Sequence, residues 1–197
     1  MNSDVVIRPP RSRADMRGVW RVNVRCWNEA YGHIFADRVL PSLDEPPSIS
    51  SLGERLVYAT SLNESGTGRY VVAVDESGDE TDGELKDGPD EGDHVVGFAA
   101  ARWGEDTKSF VGDDEAGLWI LYVDPDWWGR GIGTRLLETV EAAIPEAYTA
   151  LVLDTLAENE VGRRFYRARG FEVRETMQIE IGGDPYSAVI LARPLRS

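Results

Sequence analysis

The chain has 197 residues, 42% of them apolar, which is enough for one domain with a sizeable core and excludes disorder of the chain as a whole. Its 35 acidic residues against 21 lysines and arginines leave a formal net charge of -14, a surface that repels nucleic acid and anionic membranes. No run of about 18 apolar residues is present to span a bilayer, residues 1–10 do not read as a secretory signal, and the lone Cys26 has no internal disulfide partner, so the cytoplasm is the expected compartment. The acidity has two readings, recruitment of a cationic substrate or adaptation to high salt. The spread of acids along the whole chain favours salt adaptation.

In chain order, Val5-Val6-Ile7-Arg8 reads as a short strand stopped by Pro9-Pro10. Over residues 14–31, Met16, Trp20, Val24, Trp27 and Tyr31 recur at helical spacing, and Gly32 follows. Cys26 lies in this helix and reads as a core residue rather than a nucleophile. A second helix is expected over 49–62, with Leu52, Leu56 and Ala59 inward. Residues 70–74 form a β-branched strand. Residues 75–93 hold ten acids and one aliphatic residue, Leu85, and read as a solvated, mobile loop. Strands are expected at 94–101 and 118–123, the latter a continuous apolar run of the buried central type. Leu136, Leu137, Val140 and Ile144 mark a helix face, 151–153 a buried strand, and 158–169 a helix closed by Gly170. Residues 171–181 and 188–191 read as two strands joined at Gly182-Gly183-Asp184. The order β-α-α-β-β-β-α-β-α-β-β implies a mixed sheet flanked by helices.

The segment with the clearest chemistry follows the central strand. Asp124-Pro125 leads into Trp127-Trp128-Gly129-Arg130-Gly131-Ile132-Gly133 and then a helix. Glycines let main-chain N–H groups approach an anion, and the helix start adds unpaired donors and its dipole. Arg130 can add a charge. The segment is not a Walker loop, since no Gly-Lys-Ser/Thr follows, and its dinucleotide fingerprint is incomplete because Leu136 stands at the third glycine position. Asp154, at the end of the next strand, keeps a dinucleotide reading open.

Residues 121–134 resemble the acetyl-CoA motif of the GNAT superfamily of N-acetyltransferases, Gln/Arg-x-x-Gly-x-Gly/Ala at a helix start, with Trp128 at the Gln/Arg position. A second segment agrees: residues 159–171, from Asn159 through Tyr166 to Gly170-Phe171, resemble the family's Asn-x-x-Ala-x-x-x-Tyr-x-x-x-Gly-Phe, with Gly162 at the Ala position. The resemblance implies one domain over 1–197, with a mixed, mostly antiparallel sheet of six to seven strands, about four helices and a splayed central strand. It implies direct transfer of an acetyl group from acetyl-CoA to a primary amine in a ternary complex. Leu121, Tyr122 and Val123 would meet the acetyl and pantetheine ends through their main chain. Gly129, Arg130, Gly131, Ile132, Gly133 and Thr134 would hold the pyrophosphate. Asn159 would contact the pantetheine or orient its helix, and Tyr166 would be the general acid.

The base is less determined. Several family members place a glutamate at the start of the central strand; Gly117 stands there, and Glu115, two residues earlier, is the candidate. His33 and His94 are isolated, and no Cys/His cluster suggests a metal. The expected partner is a small amine, a peptide N-terminus or a lysine, not nucleic acid or membrane, and a homodimer is left open. Two other classes stay open: a non-catalytic acyl-CoA sensor and a nucleotide-binding oxidoreductase domain. A halophilic organism is the expected source.

Overall fold

The computed structural model describes residues 5–35, 39–77, 95–105 and 107–195. Beyond Ser77, the expected acidic loop over 75–93 lies outside the described residues, as does His94. The elements are β1 (Val5–Arg8), α1 (Arg13–Tyr31), α2 (Ile49–Ser65), β2 (Gly68–Asp75), β3 (Val95–Arg102) and β4 (Glu115–Val123), followed by α3 (Ile132–Glu141), β5 (Ala150–Leu156), α4 (Glu160–Arg167), β6 (Glu172–Ile181) and β7 (Asp184–Pro194). A single 3₁₀ turn, Pro125–Trp127, separates β4 from α3.

The strands form one sheet in the order β1-β2-β3-β4-β5-β7-β6. Every neighbouring pair is antiparallel except β4 and β5. The mixed, mostly antiparallel sheet is therefore as expected. The hairpin of β6 and β7 folds back so that β7, not β6, lies against β5, a crossover that hydropathy does not encode. Its turn is Gly182-Gly183, at φ 62 and 89, and the ladder resumes at once at Asp184, so β7 is longer than the 188–191 run.

Each sheet face is covered by its own core. Met16, Val22, Leu52 and Ala59 pack with Val72, Phe98 and Ala100 on the α1/α2 face. Leu136, Leu137 and Val140 of α3 and Tyr166 of α4 pack with Val71, Ala99, Leu151 and Leu153 on the other. Leu136 and Leu151 are fully buried, and side chains of this size contribute ~1.5–3 kcal/mol each when removed from water. The start of α1 is locked to β1. Ser12 and Asp15 form a capping box, and both Asp15 oxygens accept from the Arg8 guanidinium at 2.9 and 3.0 Å. Burial alone would raise the Asp15 carboxyl, but the Arg8 bonds and the backbone N–H of Arg11 hold it below its ordinary range.

Candidate functional site

The cleft begins where the sheet divides. β4 and β5 pair only at Glu115↔Ala150, Ala116↔Leu151 and Gly117↔Val152, although both strands continue. On its other edge β4 stays paired to β3, with one irregularity: Ala101 faces Leu118 and Ala100 faces Ile120, so Trp119 is an extra, bulged residue. A bulge increases local twist and turns a strand away from its neighbour. The parting leaves a cleft of about 510 Å³, within the ~300–1,000 Å³ usual for small-ligand sites. Leu121, Tyr122 and Val123 line one wall, and Leu153, Asp154 and Thr155 line the other.

At one end of the cleft the chain leaves β4 and enters α3. The buried Asp124 caps the 3₁₀ turn, accepting from the N–H of Asp126, and its own N–H donates to Val96. Arg25 of α1 bridges Asp124 at 2.9 Å and Asp126 at 2.7 Å, pinning the loop to the opposite layer. Gly129 and Gly131 take φ of 76 and 78, a region that disfavours other residues. Gly131 is the N-cap of α3 and supplies no side-chain bond, and the first helical bond runs from Arg135 to Gly131. The N–H groups of Ile132, Gly133 and Thr134 therefore have no intrahelical acceptor. A helix start with this donor set fits a phosphate chemically.

Gly129, Gly131, Ile132, Gly133 and Thr134 line the cleft; Arg130 does not. Its guanidinium lies 4.5 Å from the Trp127 ring and donates to the Asp126 carbonyl. The charge at the loop comes instead from Arg169, which hydropathy places only at a helix end. It lines the cleft, donates to Thr134 Oγ1 through Nε and Nη2, and lies 3.7 Å from the Phe165 ring. Trp128, at the family's Gln/Arg position, donates its indole N–H to the Val123 carbonyl at 2.6 Å and so folds over the end of β4.

Deeper in the cleft lies a chain of hydroxyl groups. Trp27 Nε1 donates to Tyr122 Oη at 3.1 Å. Asn159 Nδ2 donates to Tyr31 Oη at 3.2 Å and to Thr155 Oγ1 at 3.0 Å. The Asn159 carbonyl oxygen meanwhile caps α4 by accepting from Gly162 N–H. A Cβ at position 162 would stand 2.6 Å from Asn159 Nδ2, so Gly162 gives this cap its room. Asn159 both starts the helix and lines the cleft. Tyr166 also lines the cleft, and it is buried. Burial raises its phenol well above the ordinary range, aided by Tyr31 and by the charge of Asp154.

Glu115 stands apart. It begins β4 but does not line the cleft; Oε1 pairs with Arg174 at 2.6 Å and Oε2 accepts from Gly112 N–H. Cys26 does line the cleft, with its thiol donating to the Val123 carbonyl; burial pushes that thiol up to about 12, and at neutral pH it is no nucleophile. Among the described residues, no group of three or more His, Cys, Asp or Glu side chains is placed to hold a metal, and no helix is long and apolar enough to cross a membrane.

The sequence profile of the acetyltransferase (GNAT) family matches residues 56–171. The chain belongs to the GNAT acetyltransferase family. The GNAT fold is shared with solved structures over almost the whole chain. The PaiA N-acetyltransferase of Thermoplasma acidophilum, solved in complex with coenzyme A, is 19% identical with a TM-score of 0.61, over 94% of this chain and 98% of that one. YncA of Salmonella typhimurium, solved with its cofactor acetyl-CoA, is 18% identical with a TM-score of 0.62, over 99% and 95%. An N-acetyltransferase of Staphylococcus aureus Mu50 is 18% identical with a TM-score of 0.63, over 98% and 100%. No curated protein matches the chain.

Proposed function

We propose that this GNAT protein transfers the acetyl group of acetyl-CoA to a primary amine, by direct attack within a ternary complex. The observation that carries the reading is one cleft that joins an uncapped helix start to parted strands and a buried phenol. When bound, acetyl-CoA supplies the acetyl group as a thioester. The N–H groups of Ile132, Gly133 and Thr134 hold its pyrophosphate, with Arg169 beside them as the nearby cation. Main-chain N–H groups of β4 freed by the parting, within Leu121, Tyr122 and Val123, face the pantetheine and polarise the acetyl carbonyl.

Tyr166 keeps its proton across the working range, because its phenol is raised, and delivers it to the departing sulfur. The acceptor ammonium loses one proton to give the neutral amine, and its nitrogen loses a second as it gains the acetyl carbon and the carbon–sulfur bond breaks, a proton that restores the Tyr166 phenol through solvent. Only about one lysine-type amine in 10³ is neutral at pH 7, so its deprotonation limits the rate. We assign that proton to solvent, since Glu115 is engaged by Arg174 outside the cleft lining. The high Cys26 thiol leaves no cysteine for an acyl-enzyme route. The acidic balance belongs to salt adaptation of a cytoplasmic, halophilic protein.

A CoA-release assay over aliphatic amines, amino acids and N-terminal peptides, in dilute buffer and in molar KCl, tests this. CoA release with at least one primary amine, stronger in KCl, is expected. Tight acetyl-CoA binding with no release on any amine would overturn it in favour of a sensor domain.

A further inference from the structure

One charged pair, whose carboxylate lines the cleft, has no part in holding the donor. Lys108, on the connection between β3 and β4, extends its ammonium to Asp154 Oδ1 at 2.5 Å. Asp154 lines the cleft on β5, two residues beyond Val152, the last β5 residue paired to β4, and its charge reaches Tyr166. Two rings complete the surroundings of the ammonium: Lys108 Nζ is 5.7 Å from the Phe110 centroid and 6.0 Å from that of Trp119, within the ~6 Å reach of cation–π attraction. Trp119 is the bulged residue of β4 and lines the cleft, with the Arg102 guanidinium also 4.6 Å from its ring. A carboxylate and two aromatic rings around an ammonium on an unbranched stem are the recognition chemistry of an alkylammonium ion. Here the occupant is borne by the protein itself, on a connecting segment whose lysine side chain keeps 35% of its surface exposed.

We propose that Asp154 and Trp119 of the cleft wall, with Phe110 beside them, form an alkylammonium site, that Lys108 is its displaceable internal occupant, and that the acceptor is an unbranched primary alkylamine that takes Lys108's place. As an acceptor site it rests on the acetyl-transfer reading; as an alkylammonium site it does not. An amine carrying a carboxylate on its α-carbon would bring a negative charge against Asp154, so lysine-type and aliphatic amines are preferred over free α-amino acids.

The probe is n-butylamine, which carries the lysine side chain's stem and ammonium. Calorimetry without acetyl-CoA compares wild type, Lys108→Ala and Lys108→Ala/Asp154→Asn, each first checked for a cooperative melt, with Lys108→Ser as a second way to vacate the site. An internal occupant present nine-tenths of the time reduces apparent affinity about ten-fold, so vacating the site should tighten n-butylamine binding by about that factor, and Asp154→Asn should abolish the gain. Equal affinity in wild type and both vacated variants, or a gain that survives Asp154→Asn, would overturn the site. With acetyl-CoA added, KM for n-butylamine should fall by the same factor while KM for acetyl-CoA stays. Tightened binding with no acetylation of any amine would leave the alkylammonium site standing and count against the transfer reading alone.

Discussion

At Gly129 and from Gly131 to Thr134 the cleft is walled by one short stretch of main chain, and its donors are N–H groups that any sequence with the right φ angles would present. The opposite end is walled by side chains drawn from distant segments, Tyr31 of α1, Tyr122 of β4, Asp154 and Thr155 of β5 and Asn159 before α4, with Trp27 and Lys108 bonded behind Tyr122 and Asp154. The first kind of wall tolerates exchange of side chains. Trp128 stands where the family has Gln or Arg, and Arg130 turns away onto Trp127, yet the unpaired N–H groups stay in place. The second kind depends on each side chain and on the layers that hold it. A cofactor common to a whole family suits the first, and an acceptor that differs between members suits the second.

That contrast can be broken by substitution. Tyr166→Phe, which removes one hydroxyl from the side-chain wall, should lower kcat by about 10²–10⁴-fold and leave acetyl-CoA affinity unchanged, measured by steady-state kinetics and calorimetry. In the unsubstituted enzyme the raised phenol stays protonated to high pH, so kcat/KM should climb with amine deprotonation and show no descending limb below about pH 10. A limb near pH 8–9 would deny Tyr166 the acid role. On the main-chain wall, Gly131→Val forces a β-branched residue to φ 78, and a left-handed residue costs ~1–2 kcal/mol, so acetyl-CoA should bind about ten-fold more weakly with kcat at saturation retained. Arg25→Ala removes the tie between the two layers and leaves the buried Asp124 carboxylate with fewer partners. Because Arg25 is about a third exposed, the expected loss is ~1–3 kcal/mol, read from denaturant melts together with weaker acetyl-CoA binding. Glu115→Gln should be the mildest, with kcat within about two-fold and an unchanged pH profile; a large kcat loss would return the base role to Glu115.

The same contrast explains what could be read in the chain before its structure. The element order and the phosphate loop are local, written in periodicity and in glycines at a strand-to-helix turn, and residues 121–134 and 159–171 carried the family resemblance. Arg25 carries no local signal, because its partners Asp124 and Asp126 lie about a hundred residues away. Periodicity places Arg169 at the end of a helix and makes Arg130 the loop's charge. Which of two arginines faces a cleft depends on how α3 and α4 pack, here through Gly133 against Phe165, and no local pattern records it. Asp154 stands out in sequence at a strand end, but Lys108 sits in a polar loop whose course is set by β3 and β4.

The parting of β4 from β5 amounts to an edge strand hidden in the middle of a sheet. Beyond Gly117, alternate amides of β4 that face the gap lack a ladder partner on β5 among the described residues, and side chains bridge the seam instead, Tyr31 bonding with both Tyr122 and Thr155. A bound pantetheine arm, with its own amides, would then act as a partial strand between the β1–β4 half and the β5–β7 half. Deuterium uptake at residues 120–123 and 153–155 should slow together when the donor binds, reporting the two half-sheets becoming a single cooperative unit.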